Sequence, residues 1–593
     1  MKINLDVEEI GLVSGEEFDT IKLMELTEEQ EETINPMIPH TSGIRMKLLK
    51  KDGEKYIMKK DAQHMFLRVF QAVSKVAKEE LGKNNPNVLL VSDDRPSGNH
   101  LVEYCGKIMA NDGYNIYFQE TYDDRLKPEA EKSKYYSRMG TPHASCALSL
   151  LDEIDLTIVL TASHNSIIWN GVKIYIELAF PISGRVMQTI SETAISLDEV
   201  ELAKNFSPSY VNADKANNEY ILNLLEKVID ISILNGKKIV LWPFMGVAPE
   251  LNALIEQVGA EVVLIDEDVD PPNPTDEFDR EKVETQLKEH DANIAILLDA
   301  DRDRIVFIIQ NPESEMADEN GFVSLTPNEL YTAMHNLLAK DFGKKFINVR
   351  TIPSDPRCDP ASDLSLITGV GYKHLGMVLY SAIGEEIDEE TFQTGIIYEK
   401  TSAGFKKLGT PQKIRNAIAD SGLRGDDILM VLWEESGGNV FNILSIKDEE
   451  EQESGAKIES VFPPLGDKYP AMAILVLCTL IEKGYDLNKA IDQNIIGTRT
   501  KIKAEDKKKV KILETFSKKT GEDIKIENYQ YKISTFEQIG GKTAVIHFGS
   551  GDTDIYFRPS GTGPVVRIYV YGPKDNAIEQ MNKVKDHIET MFA

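Results

Sequence analysis

The sequence predicts a multidomain α/β protein, with three mixed α/β domains of related topology and a C-terminal α+β domain. Its 593 residues exceed what one core holds, and at roughly 150 residues per domain they suggest about four domains. Apolar, strand-like runs alternate with helical patterns over most of the chain, which is typical of βαβ units. This alternation stops in roughly the last hundred residues, where the pattern becomes α+β.

Six short apolar runs in the first half read as buried strands, because they are rich in Val, Ile and Leu and are bounded by polar or turn-forming residues. They are NVLLVS (87–92), YNIYFQ (114–119), DLTIVL (155–160), KKIVLW (237–242), AEVVLI (260–265) and NIAILL (293–298). Between the fourth and fifth runs, Pro249 suits the first turn of a helix and Gly259 suits its end. That segment predicts one complete βαβ unit.

The same alternation returns after about residue 326. TPNELYTAMHNLLAK has a helical pattern, DKYPAMAILVLCTLIEKG reads as a buried helix, and KFINV and DILMVLW read as strands. The last part has a Lys-rich helix, AEDKKKVKILETFSKK, then β-like runs and a closing amphipathic helix from about 574.

Domain bounds follow from these changes of pattern. We predict domains over residues 1–214, 215–322, 323–490 and 491–593. The polar stretch 207–219 and the acidic stretch 447–457 are predicted to be solvated connections by their composition.

The composition is strongly acidic. The formal net charge is -31, from 97 Asp+Glu against 66 Lys+Arg, and the sequence pI is about 4.8. Nucleic-acid phosphates and anionic membrane surfaces repel such a chain, so we expect neither as a partner. Any anionic ligand must be held by a local basic pocket.

Three features favour a cytoplasmic protein. The first residues are too acidic for a signal peptide, and the longest apolar run, 471–481, is too short to span a bilayer. Four cysteines (Cys105, Cys146, Cys358, Cys478) have no C-x-x-C spacing, so neither a disulfide framework nor a zinc site is indicated.

The motif TASHN (161–165) directly follows the run DLTIVL. Ser163 is a candidate nucleophile at a strand end, although a serine there is commonly a hydrogen-bonding cap. The G-x-S-x-G pattern of the hydrolases is absent from this segment.

A second motif, DADRDR (299–304), also follows an apolar run. Three alternating carboxylates repel one another unless a cation or the nearby arginines compensate them. A calcium EF-hand loop is excluded, since Arg304 and Gln310 stand where Gly and Glu are required. Mg²⁺, with a phosphorylated residue opposite, fits three Asp side chains; an acidic turn paired with its own arginines is the alternative.

Two further motifs could bind ligands. RPSGTGPVVR (558–567) offers two guanidinium groups around a tight Pro-Ser-Gly turn, and reads either as a phosphate cradle or as an ordinary turn between strands. WEESGGN (433–439) follows a strand-like run, and its Glu and Ser could bind sugar hydroxyls, or it is an acidic turn.

Together, in this order, the four motifs resemble those of the α-D-phosphohexomutase superfamily, the phosphoglucomutases and phosphomannomutases. TASHN resembles the phosphoserine loop, DADRDR the Mg²⁺ loop, EESGG the sugar-recognition loop and RPSGTGPVVR the phosphate-binding loop. Further matches are HTSGIR (40–45), DDRPSG (93–98), GTP (140–142), NGVK (170–173), GVGYK (369–373) and GDK (466–468). The resemblance spans residues 40–573 and implies four domains around a central cleft.

The resemblance implies a role for each matching residue. Ser163 would carry a phosphate, one oxygen of which binds Mg²⁺ together with Asp299, Asp301 and Asp303. The residues expected near the reacting groups, where lysine can shuttle protons or offset charge, are Arg45, Lys173 and Lys373. Those expected to bind the sugar and its phosphate are Glu434, Ser436, Arg304 and Lys468. Those expected to hold the distal phosphate are Arg558, Ser560, Gly561, Thr562 and Arg567.

The implied activity is that of a phosphosugar mutase, an intramolecular phosphotransferase. It would interconvert glucose 1-phosphate and glucose 6-phosphate through phosphoserine and a bisphosphorylated sugar, with sugar 1,6-bisphosphate as activator and small-molecule sugar phosphates as partners. The alternatives are a phosphomannomutase, a phosphopentomutase, a sugar-1,6-bisphosphate synthase, or a noncatalytic sugar-phosphate-binding protein.

Five positions depart from the family pattern: Met46, Ser166, Trp169, Trp433 and Gly563. Ser166 replaces the usual Pro of TASHNP, Trp169 the usual Tyr before NG, and Trp433 the usual Gly before EES, so we expect these three departures to reshape the approach to the sugar. Gly563 replaces the usual Glu after RPSGT, which removes a carboxylate that could orient the arginines.

Overall fold

The computed structural model describes residues 4–36, 43–276, 278–560 and 564–592. Up to residue 225, the chain forms one large sheet, two small sheets and the helices that cover them. The strands are β1 Asn4–Val7, β2 Leu12–Ser14, β3 Phe18–Lys22, β4 Ile44–Lys47, β5 Leu49–Asp52, β6 Lys55–Met58, β7 Asn87–Ser92, β8 Asn115–Gln119, β9 Leu156–Leu160, β10 Trp169–Ile176, β11 Glu199–Ala203 and β12 Ser209–Val211. The helices are α1 Glu28–Ile34, α2 Lys60–Leu81, α3 Gly98–Asn111, α4 Lys127–Ala130, α5 Thr141–Leu150, α6 Gly184–Ser196 and α7 Ala213–Leu225.

Two more mixed sheets follow along the chain. The second large sheet has strands β13 Lys238–Trp242, β14 Glu261–Leu264, β15 Ile294–Leu298, β16 Ile305–Gln310 and β17 Phe322–Leu325, with helices α8 Pro249–Gln257 and α9 Arg280–His290. The third has strands β18 Phe346–Thr351, β19 Leu364–Thr368, β20 Ile397–Thr401, β21 Gly404–Lys407, β22 Gly425–Trp433, β23 Asn439–Asp448 and β24 Ala456–Ser460. Its helices are α10 Pro327–Lys340, α11 Tyr372–Ile383, α12 Glu389–Gln393, α13 Pro411–Asp420 and α14 Pro470–Glu482.

The last part of the chain is built differently, as the sequence predicts. Its six strands pair only antiparallel, in the order β25-β30-β29-β28-β27-β26, and two helices pack on the sheet. The strands are β25 Ile495–Lys503, β26 Asp523–Ile526, β27 Tyr529–Glu537, β28 Thr543–Ser550, β29 Thr553–Pro559 and β30 Val565–Pro573, and the helices are α15 Asp506–Ser517 and α16 Ala577–Met591.

The first three large sheets share one topology. Each has three parallel strands, in the orders β8-β7-β9, β14-β13-β15 and β19-β18-β22, followed by a strand antiparallel to the third. The predicted fold class, three mixed α/β units of related topology followed by an α+β unit, is confirmed. The domain bounds remain a prediction.

The cores show how these sheets join. One continuous cluster of buried side chains runs from α7 through the second and third sheets to α14, whereas the first sheet and the last sheet have cores of their own. A smaller aromatic cluster, including Tyr398, Tyr556 and Tyr571, joins the third sheet to the last. In the described ranges, no helix combines the length and the hydropathy needed to cross a bilayer.

The prediction of a solvated connection over 207–219 is wrong. Ser209–Val211 forms strand β12, and α7 begins at Ala213 with Asn217 and Asn218 buried. Their amides donate to main-chain carbonyls: Asn217 to His143 at 3.0 Å, and Asn218 to Glu250 at 3.0 Å. Because buried polar groups are stable when hydrogen-bonded, this polar segment packs between the first two sheets.

Candidate active site

Ser163 lies in the loop that follows β9, where the strand's last apolar side chain is Leu160. Its φ is +53°, a left-handed conformation that a residue other than glycine adopts only when its surroundings hold it. The Ser163 amide donates to Thr161 Oγ1 at 2.8 Å, and Ser163 is buried. The turn therefore fixes the direction of the serine hydroxyl.

Arg95 holds this loop from the neighbouring strand end. Its guanidinium donates to the main-chain carbonyls of Ser163 and Asn165, the latter at 2.8 Å, and also to Ser166 at 2.8 Å and Trp169 at 3.1 Å. Asp93 balances its charge at 3.0 Å, and both side chains are fully buried. One arginine fork thus organises the whole loop, a geometry that a lysine cannot reproduce.

The expected contact between Ser163 and the acidic loop is present. Ser163 Oγ donates to Asp299 Oδ2 at 2.8 Å. Asp299 follows β15, so the contact joins the first sheet to the second. The loop turns sharply at Arg302, with φ +60°, whose guanidinium pairs with Asp94 and with Glu250, the latter at 3.3 Å.

Asp299, Asp301 and Asp303 are fully buried, and each offers a carboxylate oxygen within 4.8 Å of the others. Burial, together with Asp303 and Asp301, raises the pKa of Asp299 well above its usual range. Burial alone would also raise the pKa of Asp303, but Lys173, Lys468 and Arg304 hold it well below that range. The loop is therefore a concentrated negative charge that needs cations.

Two lysines supply part of this compensation. Lys173 Nζ lies 2.6 Å from Asp301 Oδ2 and 3.1 Å from Asp303 Oδ2, while Lys468 Nζ lies 3.0 Å from Asp303 Oδ2. Burial opposes the charge on Lys173, yet the two aspartates raise its pKa above the usual value. Lys173 is thus held as a cation, which suits it to offset charge rather than to accept a proton.

The acidic loop has the donor set of a divalent cation site. Among the described residues, Asp301 Oδ1 and Asp303 Oδ1 are buried and accept no hydrogen bond. Such unpaired buried oxygens are costly unless a ligand engages them. Hard carboxylate oxygens beside a hydroxyl that can carry phosphate fit Mg²⁺.

All four large sheets contribute side chains to one cleft above this loop. Among the lining residues are seven cations: Arg45, Lys173, Arg304, Lys468, Arg499, Arg558 and Arg567. Three carboxylates share the same lining: Glu434, Glu435 and Asp467. A protein with net charge -31 therefore carries the local basic pocket that an anionic ligand requires.

The EESGG loop follows β22 and faces the acidic loop. Glu434 is buried, accepts a hydrogen bond from the Ser436 hydroxyl, and lies 3.1 Å from Lys468 Nζ. Gly437 has φ +111°, and a Cβ there would come within 2.8 Å of the Ile305 amide nitrogen. Glycine is therefore required for the close approach of this loop to the second sheet.

The described parts of the RPSGTGPVVR motif lie on or next to the paired antiparallel strands β29 and β30. Arg558 on β29 stands directly opposite Arg567 on β30, and both line the cleft. Ser560 is buried, and its carbonyl accepts a 2.8 Å hydrogen bond from Lys509 Nζ of α15. Gly561 and Thr562, which were also predicted to bind phosphate, lie outside the described residues, as do Gly563 and residues 40–42 of HTSGIR.

Lys373 lies near Arg558, another of the predicted residues. It is in the first turn of α11, and it is not among the described side chains that line the cleft. Burial, with a contribution from Arg558, lowers its pKa to about 8. Lys373 therefore lies near Arg558 of β29, and its expected place near the reacting groups stays a prediction.

Known proteins share both sequence and fold with this chain. Residues 36–201 match the family model "Phosphoglucomutase/phosphomannomutase, alpha/beta/alpha domain I". A phosphoglucosamine mutase of Geotalea daltonii is 27% identical over 287 residues, which cover 47% of this chain and 57% of that protein. One of Geobacter metallireducens is 30% identical over 164 residues, 26% of this chain and 36% of that one. The chain thus spans little more than half the length of the first of these relatives and about a third of the second.

Solved structures extend the likeness of fold to nearly the whole chain. The open form of the Paramecium phosphoprotein pp63/parafusin, a phosphoglucomutase, aligns with TM-score 0.59 and 14% identity over 99% of this chain and 97% of that one. A phosphoglucomutase/phosphomannomutase family protein of Burkholderia thailandensis aligns with TM-score 0.58 and 16% identity over 95% of this chain and 96% of that one. Residues 36–201 are therefore similar to domain I of the phosphoglucomutases and phosphomannomutases, and the chain as a whole has the fold of these solved structures.

Trp433, one of the departures from the family pattern, does not line the cleft. Its side chain is fully buried beneath the third sheet, and Nε1 donates to Asn348 Oδ1 at 2.8 Å. The ring packs against Tyr331, with centroids 5.4 Å apart. Alternation along β22 turns the last side chain of the strand into the core.

The cleft region also contains residues that the sequence did not single out. His164 Nδ1 lies 3.3 Å from Ser163 Oγ, and burial, with Arg304 and Arg45, lowers its pKa well below the usual value. Burial raises the pKa of Asp467, another lining residue, to about 6. His164 lies in TASHN and Asp467 in GDK, so the matched motifs could have identified both. Arg499 and Lys509 lie in no matched motif.

Proposed function

We propose that the protein is a phosphosugar mutase that interconverts glucose 1-phosphate and glucose 6-phosphate through phosphorylated Ser163. The observation that carries this proposal is the 2.8 Å contact of Ser163 Oγ with Asp299 at the base of a basic cleft. A hydroxyl held against a cation site by a fixed turn is suited to giving and taking a phosphoryl group.

The cleft supports a two-step cycle. First, the bond between phosphorus and Ser163 Oγ breaks as a bond forms from phosphorus to the free hydroxyl of the sugar phosphate. The proton of that hydroxyl must reach the departing Ser163 Oγ, and His164 Nδ1, 3.3 Å from that oxygen, can relay it. The bisphosphorylated sugar then turns over. In the second step the bond between its other phosphorus and the sugar oxygen breaks as that phosphorus bonds to Ser163 Oγ, and the proton of the Ser163 hydroxyl passes back to the sugar oxygen.

Each group of cleft residues has a separate task in this cycle. The carboxylates of Asp299, Asp301 and Asp303 would hold Mg²⁺, which offsets charge on the transferred group. Lys173 and Lys468 offset charge that the metal leaves uncompensated. Carboxylate and hydroxyl at Glu434 and Ser436 orient the sugar, and Arg558 and Arg567 hold the phosphate that does not react.

A second candidate substrate is glucosamine phosphate, because the curated relatives are named phosphoglucosamine mutases. A panel of glucose, glucosamine, mannose and ribose 1-phosphates, each assayed for its phosphate isomer with Mg²⁺ and the matching bisphosphate, decides between them. We expect the largest kcat/KM with glucose 1-phosphate. A larger value with the amino sugar would favour the second candidate, and no turnover with any would overturn the mutase proposal.

A further inference from the structure

Glu435 occupies an unusual position for a carboxylate. It follows Glu434 in the loop after β22, yet its side chain, only 8% exposed, points into the phosphate-binding end of the cleft. Its Oε1 accepts a 3.0 Å hydrogen bond from the Tyr569 hydroxyl on β30. The loop that faces the sugar thus extends a negative charge to the last sheet.

Three arginines surround this carboxylate. Arg499 Nη1 lies 3.9 Å from Glu435 Oε2. Burial alone would raise the pKa of Glu435, but the positive charges of Arg499, Arg567 and Arg558 keep it below its usual value. The spacing is close enough for charge compensation but too long for a hydrogen bond.

One donor of these arginines is unused. Among the described residues, Glu435 Oε2 accepts no hydrogen bond and the buried Arg567 Nε donates none. A phosphate entering beside Glu435 could therefore accept a hydrogen bond from Arg567 Nε without first breaking one to the carboxylate. It would, however, meet a negative charge already in place.

We propose that Glu435 sets the affinity of the distal phosphate site by offsetting part of the arginine charge. The inference rests on the proposed function, since a mutase must release the distal phosphate before the bisphosphorylated sugar can turn over. Three guanidinium groups without a counter-charge would bind that phosphate tightly in the ground state, and uniform tight binding of an intermediate does not speed turnover. Glu435 is a positioning and affinity-setting residue, not a catalytic one.

Binding of inorganic phosphate tests this without requiring turnover. Calorimetric titration of the full chain with phosphate, in Mg²⁺-free buffer at low ionic strength, should give about tenfold tighter binding for Glu435→Gln than for the wild type. Glu435→Asp keeps the charge and should stay within about twofold of the wild type. Glu514→Gln, the same charge change on the exposed face of α15, is the matched control and should not change the affinity. Arg567→Gln should weaken binding, which would locate the measured site.

A second variant guards against a misfolded Glu435→Gln. Glu435→Ala removes the same charge without introducing an amide and should also tighten phosphate binding by about tenfold. Unchanged affinity in both variants would overturn the inference, and weaker binding would show that Glu435 instead orients the arginines. If the protein also turns over a hexose phosphate, Glu435→Gln should lower KM and kcat together. Absence of turnover would count against the proposed mutase, while the phosphate affinities would still decide the role of Glu435.

Discussion

Ser163 Oγ and Asp299 Oδ2 lie 2.8 Å apart although 136 positions separate them in the chain. Each residue ends an apolar strand, β9 or β15, at the same edge of two sheets of related topology. The contact places a candidate phosphate carrier on a candidate metal site. Phosphate and metal should therefore be coupled in function.

The aspartate loop should make thermal stability depend on Mg²⁺. For the wild type, free Mg²⁺ at about 100 times its dissociation constant should add about 2.7 kcal/mol to the free energy of unfolding. Asp301→Asn should abolish that increase, because it removes a ligand oxygen and the charge that attracts the ion, and should lower kcat by at least about 100-fold. Scanning calorimetry with and without Mg²⁺ measures the gain in stability, and Asp523→Asn, at an exposed position, is the control. A wild-type Mg²⁺ response in Asp301→Asn would refute the site.

Arg95 should be needed for the shape of the phosphoserine loop. Arg95→Lys keeps the charge near Asp93 but cannot reach four carbonyls at once, so the free energy of unfolding should fall by about 3 kcal/mol and kcat by at least about tenfold. Urea unfolding and steady-state kinetics measure the two effects. Arg424→Lys, at the more exposed pair with Asp448, should change neither. Wild-type values for Arg95→Lys would contradict this role.

Lys509 should position the phosphate-binding hairpin through Ser560. Lys509→Met removes the ammonium that donates to the Ser560 carbonyl, so KM for the sugar phosphate should rise about tenfold while kcat changes less than about threefold. Lys509→Arg should restore part of the affinity, and Lys507→Met, on the exposed side of the same helix, should match the wild type. An unchanged KM in Lys509→Met would exclude the positioning role.

Lys373 should make stability depend on pH. Its pKa falls from 10.5 to about 8 on folding, so the cost of burying the charged form is complete below pH 8 and is relieved as pH rises from 8 to 10.5. Lys373→Met should therefore stabilise the protein by up to about 3 kcal/mol at pH 7, with a smaller gain at pH 9.5. Thermal unfolding in phosphate-free buffer at both pH values measures this, against exposed Lys406→Met. A gain in the stability of Lys373→Met that grows with pH would contradict this prediction.

Much of the fold could be predicted because hydrophobic periodicity acts locally. The strands that became β7, β9, β13 and β15 are continuous apolar runs, and the final helix repeats at helical spacing. The prediction of a solvated connection at 207–219 failed because composition describes only the local segment. Its asparagines are buried by hydrogen bonds to carbonyls distant in the chain, which composition does not encode.

The site was accessible from the sequence only through its motifs. These motifs placed Ser163 and the aspartates correctly relative to each other, but spacing along the chain carried no sign of Lys509 below Ser560. Nor did it show Glu435 turning towards the arginines of the last sheet, because that contact depends on how two separately formed sheets meet. The motif likewise gave no sign that the Trp433 side chain is buried rather than in the cleft lining.

The most direct test of the account is whether phosphate passes through Ser163. Wild-type protein should convert glucose 1-phosphate to glucose 6-phosphate with Mg²⁺ and a trace of glucose 1,6-bisphosphate, and mass spectrometry should find phosphate on the peptide containing Ser163. Ser163→Ala should lose at least about 1,000-fold of the turnover and all of that phosphopeptide, whereas Ser166→Ala in the same loop should keep both. Turnover at the wild-type rate in Ser163→Ala would contradict the central claim.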